Sequence, residues 1–126
     1  MTVTERAKIN RQITPSEVAV IRTTLERAPK EALESGVAAG LEHLRTIGQC
    51  GCGCDSVDFV PHDPSHMSLP IGDGMGTTPA GGDVGIIIWG RPDAITGLEI
   101  YSLGAEEHDL RLPLLDSIRP FVPDES

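Results

Sequence analysis

At Gly48 the chain changes its chemistry, and that change limits the possible folds more than any other feature. Before it, apolar residues recur at helical spacing; after it, glycine, β-branched residues and punctuating prolines take over. The first pattern is that of amphipathic helices and the second that of strands and turns. Helices are therefore expected first and a sheet second. With 126 residues, 39% of them hydrophobic, there is material for one modest core. Only Phe59, Trp89, Tyr101 and Phe121 are aromatic, so aliphatic side chains must supply most of that core. We expect a single domain over 14–126 behind a flexible leader, 1–13, that shows no periodicity.

The first helix carries its own start signal. Thr14-Pro15-Ser16-Glu17 sets a hydroxyl at the N-cap, proline at the first helical position and a carboxylate where it can reach back to the cap. Val18, Ile21 and Leu25 follow at helical spacing, Arg22 and Glu26 form an i, i+4 pair, and Pro29 ends the run, which predicts a helix over 15–28. A second helix is predicted from Leu33, Val37, Leu41 and Leu44, ending between 40 and 47. Gly36 and Gly40 weaken it by about 1 kcal/mol each relative to alanine, and would let it approach a sheet closely.

Three strands are predicted, over Cys50–Val60, Val84–Gly90 and Ile95–Ser102. The turn chemistry of Gly90-Arg91-Pro92-Asp93 joins the last two as an antiparallel hairpin. Ile86 to Trp89 is apolar on both parities and predicts a central strand covered on both sides. In the last strand Thr96, Leu98 and Ile100 alternate with Gly97, Glu99 and Tyr101, so one face is buried. Residues 61–83, interrupted by Pro61, Pro64, Pro70 and Pro79, read as a loop or a short hairpin flanked by loop. Leu110 and Leu112 could add an edge strand, and Pro113 to Ile118 a helical turn. The expected fold is α+β: two N-terminal helices packed on one face of a mainly antiparallel sheet of about four strands.

Charge narrows the function classes. Ten basic residues face nineteen acidic ones, a net charge of −9, and the excess is concentrated after Gly48. Nucleic-acid binding draws its affinity from lysine and arginine against phosphates, and this chain has two lysines and no basic stripe. Anionic membrane surfaces are disfavoured for the same reason. No apolar run is long enough to span a bilayer, and residues 1–11 lack the apolar stretch of a signal peptide, so a cytoplasmic setting is expected.

All three cysteines fall within Cys50-Gly51-Cys52-Gly53-Cys54. Three readings stay open. Thiolates suit zinc or Cu(I), and Cys50, Cys52 and Cys54 with His62 or His66 would complete a tetrahedral site. Zinc–sulfur bonds of about 2.3 Å bring two sulfurs within roughly 3.8 Å, whereas same-face residues of a strand lie about 6.6 Å apart, so metal binding predicts a loop here. Redox-active thiols are the second reading, although Asp55 and Asp58 nearby and the lack of a basic neighbour disfavour the thiolate. Buried structural cysteines are the third. The stretch Gln49 to Phe59, with the later Gly97-Leu98-Glu99-Ile100-Tyr101-Ser102, resembles a group of small uncharacterised bacterial proteins carrying a CGCGC-x-SVD segment and a Leu-Glu-hydrophobic-Tyr strand. No activity is known for that group. The resemblance implies a recurring α+β domain and carries over no catalytic residue.

The remaining candidates are weaker. Gly72 to Thr77 has the composition of a phosphate-cradling loop, but no lysine and no helix follow it, so a flexible turn is expected. His62, His66 and Asp63 beside Ser65 or Ser68 give no defined triad geometry, His43 and His108 are isolated, and Glu106-Glu107 with Asp109 reads as an exposed acidic turn. No complete catalytic or cofactor motif is present. The expected function is that of a small acidic, non-catalytic binding or interaction protein, using an uncovered sheet face or the 61–83 segment to hold a protein or small-molecule partner. The alternative is a soft-metal or thiol-redox protein using the cysteine cluster. No cofactor is expected under the first reading, and zinc or Cu(I) under the second. An exposed edge strand or sheet face would also support a homodimer.

Overall fold

The computed structural model describes residues 7–31, 33–34, 36–37, 39–49, 55–59 and 68–121. Helix α1 (Pro15–Arg27) starts where its capping residues place it: Thr14 Oγ1 accepts the Glu17 N–H at 3.1 Å, and Glu17 Oε1 accepts the Thr14 N–H at 2.9 Å. Arg11 then grips the same carboxylate with both ends of its guanidinium, at 3.0 and 2.8 Å. Glu17 is only 5% exposed, so its charge is held inside the structure by this fork and by the cap. Seven strands follow the chain: β1 (Ala7–Gln12), β2 (Arg45–Gln49), β3 (Val57–Phe59), β4 (Leu69–Thr77), β5 (Asp83–Arg91), β6 (Ala94–Ser102) and β7 (Arg119–Pro120). They form one antiparallel sheet in the order β1-β2-β3-β6-β5-β4-β7.

The expected two helices on about four strands are therefore corrected, among the described residues, to one α-helix on a seven-stranded sheet. Three local causes account for the difference. Gly36 has φ of +93°, which no α-helix contains, so the second predicted helix is broken at its start. A short 3₁₀ turn at Leu41–His43 and then β2 replace it. Leu41 is fully buried, and Leu33, Val37 and Leu44 pack on the core as the spacing suggested, although not as one helical stripe. Ala7–Gln12, within the expected leader, pairs with β2 and forms an edge of the sheet.

The third cause is β4. Its glycines were expected to make a loop or turn, yet Leu69–Thr77 is a nine-residue strand paired along its length with β5. Gly72, Gly74 and Gly76 occupy one face of it and leave that face without side chains. A Cβ on Gly72 would meet Leu25 at 3.2 Å, and one on Gly74 would meet Ala28 at 3.4 Å, so the helix lies directly on the strand. One on Gly76 would meet Pro113 at 2.8 Å and Ser117 at 3.0 Å. Period-two glycine thus serves close packing here.

The β5–β6 hairpin is observed, with Ile86 opposite Ile100 and Ile88 opposite Leu98. These four residues, with Val84, Ile71, Ile95, Val57 and Phe59, form the covered face of the sheet under Val20 and Ile21 of α1. Ile87 and Trp89, expected to be covered as well, are only half-buried on the other face. Leu110 and Leu112 form no strand; β7 supplies that edge, and the predicted turn appears as 3₁₀ at Leu115–Ser117. Arg27 fastens this end of the chain by donating to the carbonyls of Leu115 and Ile118 at 2.9 and 3.1 Å. Across the middle of the sheet, β3 meets β6 among the described residues through two backbone pairs, Val57 with Leu98 and Asp58 with Gly97. The buried Ser56 lengthens that seam, its Oγ accepting the Ile100 N–H at 2.8 Å.

The Arg11 fork and the cap outweigh the cost of burial and hold the Glu17 carboxyl below its ordinary pKa. A carboxyl depressed in the folded state contributes stability above its unfolded pKa and loses it as pH falls through the folded value. Glu17→Gln should therefore lower stability in urea unfolding by about 1–3 kcal/mol at neutral pH. The gap between the two proteins should close as the pH drops below about 4.

Candidate functional site

The face of the sheet opposite α1 is built from the alternate residues of the same strands. Three cross-strand rows define it. Asp73, Ile87 and Glu99 lie side by side on β4, β5 and β6; Met75, Gly85 and Tyr101 form the row on one side. Pro70, Trp89, Gly97 and Asp58 form the row on the other. No described element packs across these rows. Ile87, Trp89, Glu99, Tyr101, Met75 and Asp73 are all half-buried.

Glycine shapes this surface too. The Tyr101 ring lies flat over Gly85, where a Cβ would overlap it, so the ring reaches from β6 across β5 toward β4. Trp89 donates its indole N–H to Glu99 Oε1 at 2.9 Å, fixing both side chains across the β5–β6 pair. Asp58 Oδ2 sits over Gly48 on the next strand. Asp73 Oδ1 is buried and accepts no hydrogen bond. Burial, then the charges of Asp73 and Glu99, push the Tyr101 phenol above its ordinary pKa, so it stays neutral and able to donate.

The arrangement combines carboxylate acceptors with flat apolar surface. It holds no nucleophile beside a base, and no described element encloses the carboxylates as acid–base chemistry needs. The clefts on the helix side are less distinctive: one of about 540 Å³ beside Pro15, Val18 and Ala19 is rimmed by the Arg22–Glu42 ion pair at 3.3 Å.

The other sequence candidates separate into three groups. Cys50, Cys52, Cys54, His62 and His66 lie outside the described residues, as do Asp63 and Ser65. What is described are the flanks: Gln49 pairs with Val57 in antiparallel strands, so the chain reverses direction between them. Asp55 ties that reversal to the C-terminal segment, its N–H donating to Leu110 O at 2.9 Å and its Oδ2 accepting the Leu112 N–H at 2.8 Å. Among the described residues, no three His, Cys, Asp or Glu side chains are grouped to hold a metal ion. Ser68 is paired with Thr96 at 2.7 Å, and His43 and His108 are exposed. Asp109 of the acidic turn accepts from Thr78 at 2.7 Å, a structural role. Among the described residues no helix is long and apolar enough to cross a membrane.

Comparison with known proteins adds no relative: no family model, no curated protein and no solved structure matches the chain. The sequence pointed to Glu99 and Tyr101 through their alternation with buried partners. It missed Asp73 and Met75, because they sit among the glycines expected to form a loop.

The chain contains one tyrosine, so its ionisation is directly readable. Absorbance titration should place Tyr101 above the usual phenol value of about 10, and Asp73→Asn should move it back toward that value. An unshifted wild-type titration would remove the acidic setting described for this ring.

Proposed function

We propose that this is a small non-catalytic binding protein of the cytoplasm, and that its recognition surface is the sheet face centred on Ile87, Trp89 and Glu99. The observation that carries this reading is a set of half-buried aromatic and aliphatic side chains that no element among the described residues covers, held in place by the Trp89–Glu99 bond. Grouped apolar side chains on one surface mark interaction sites more often than scattered ones do. Rigid aromatic side chains lose little entropy when a partner seats on them.

A second reading has its own support. Of the strand expected over 50–60 only Val57–Phe59 lies in a described strand, and Gln49 pairs with Val57 in an antiparallel neighbour, so residues 49 and 57 do not belong to one straight strand. Cys50, Cys52 and Cys54, with His62 or His66, therefore keep the alternative of a zinc or Cu(I) site, or of a redox thiol cluster.

A photocrosslinking side chain in place of Ile87 should give saturable adducts in cells, whereas one in place of the exposed Glu26 on α1 should give none. Equal labelling at the two positions would remove the sheet face as the binding surface. For the cysteine reading, native mass spectrometry of protein purified without chelator should show one metal ion per chain, with all three thiols protected from maleimide until it is removed. A metal-free mass with rapidly labelled thiols would leave only the redox form of that reading.

A further inference from the structure

We propose that the occupant of this face is a basic peptide segment, whose lysine or arginine side chains lie along the Asp73–Ile87–Glu99 row; the inference rests on the sheet face being the binding surface. The first argument is charge. Arg119, opposite Met75 on β7, donates to Ser117 O at 3.0 Å. Strands β4, β5 and β6 themselves carry Asp73, Asp83 and Glu99 and only one basic residue, Arg91, which bonds to Asp93 at 3.4 Å at the far end of the hairpin. Their carboxylates are thus uncompensated within the three strands, in a chain of net charge −9.

The second argument is the acceptor inventory. Glu99 Oε1 accepts the Trp89 N–H, and a carboxylate has further acceptor sites on its second oxygen for an incoming donor. Asp73 Oδ1 is buried without a donor and its charge is felt at the Tyr101 ring, so no bond at that oxygen offsets the carboxylate before a cation arrives on the row. The third is shape. A long basic side chain needs apolar surface for its stem and acceptors for its head. Ile87 and Met75 offer the first, and the carboxylates to either side of Ile87 the second. Trp89 adds a π face that favours a guanidinium. A second copy of the chain fits less well, because face-to-face pairing about a two-fold axis would set the same carboxylates against each other.

Trp89 is the only tryptophan, so its emission reports binding at this face directly. The probe is an eight-residue alternating Arg-Gly peptide, with alternating Glu-Gly and Ser-Gly peptides as controls. The basic peptide alone should change the emission saturably, and added salt should weaken it. Glu99→Gln and Asp73→Asn should each weaken binding about tenfold. The Glu106→Gln/Glu107→Gln variant removes two charges from the distant exposed turn and should leave affinity within about twofold. If Glu99→Gln fails to fold, Asp83→Asn at the end of the same face replaces it, with a smaller loss expected.

Equal weakening by the Glu106/Glu107 variant would overturn the proposal in favour of unspecific charge attraction. Saturable binding of the Ser-Gly peptide, or a dimer in sedimentation that Ile87→Asp dissociates, would overturn it in favour of another occupant. If the basic peptide fails while crosslinks from Ile87 persist, the cationic assignment falls and the binding face stands. If both fail, both fall.

Discussion

The architecture depends on how closely α1 can approach β4. A helix usually rests on the side chains of the sheet beneath it, but here Gly72 and Gly74 leave none at the point of contact, and Leu25, Thr24 and Ala28 fill the space. Gly76 extends the same stripe and admits Pro113 and Ser117. Any side chain in the stripe would push the helix or the C-terminal segment outward and open voids around Val20 and Ile21, which are almost wholly buried. With a single helix available to cover seven strands, that loss of contact has no substitute among the described elements. Arg27 reinforces the arrangement by binding two carbonyls of the segment that crosses beside it.

Sequence and structure agree where a local signal is complete in itself. The Thr14 to Glu17 cap states where the helix begins, and the β5–β6 hairpin is specified by β-branched residues around a Pro-Asp turn. They part company where glycine has two meanings. In β4, alternate glycines resemble a loop by composition, and only their period of two shows that they share one face of a strand. The segment from Leu33 to Leu44 shows the opposite error. Its apolar spacing fits a helix, but burial of Leu41 and Leu44 beside a chain turning through Gly36 satisfies the same residues without one. Edge strand β1 has no internal signal, since what fixes it is pairing with a strand more than thirty residues away.

The candidate site was legible to the same extent as its strands. Glu99 and Tyr101 stand on β6 and could be assigned to a face from alternation, whereas Trp89 ends a run that is apolar on both parities and was expected to be covered. Asp73 and Met75 could not be assigned, because their strand was hidden by its glycines. The covering helix is also why this face differs from its opposite: one helix can close only one side of the sheet. The residues on the second side must then satisfy each other, which the Trp89–Glu99 bond and the Tyr101 ring over Gly85 partly do.

The narrow seam between β3 and β6 gives the sheet a mechanical character. β4, β5 and β6 are sequential neighbours, as are β2 and β3, so each group closes through short connections. Among the described residues the two groups meet through two backbone pairs and the Ser56 hydroxyl. Strands β1 and β7 lie at opposite edges, so tension applied at Ala7 and Phe121 runs across the strands and peels their hydrogen bonds one after another. Under such a load the β4–β7 edge and the β3–β6 seam, each with two described backbone pairs, resist least, and the Ser56 hydroxyl adds a further bond to the second.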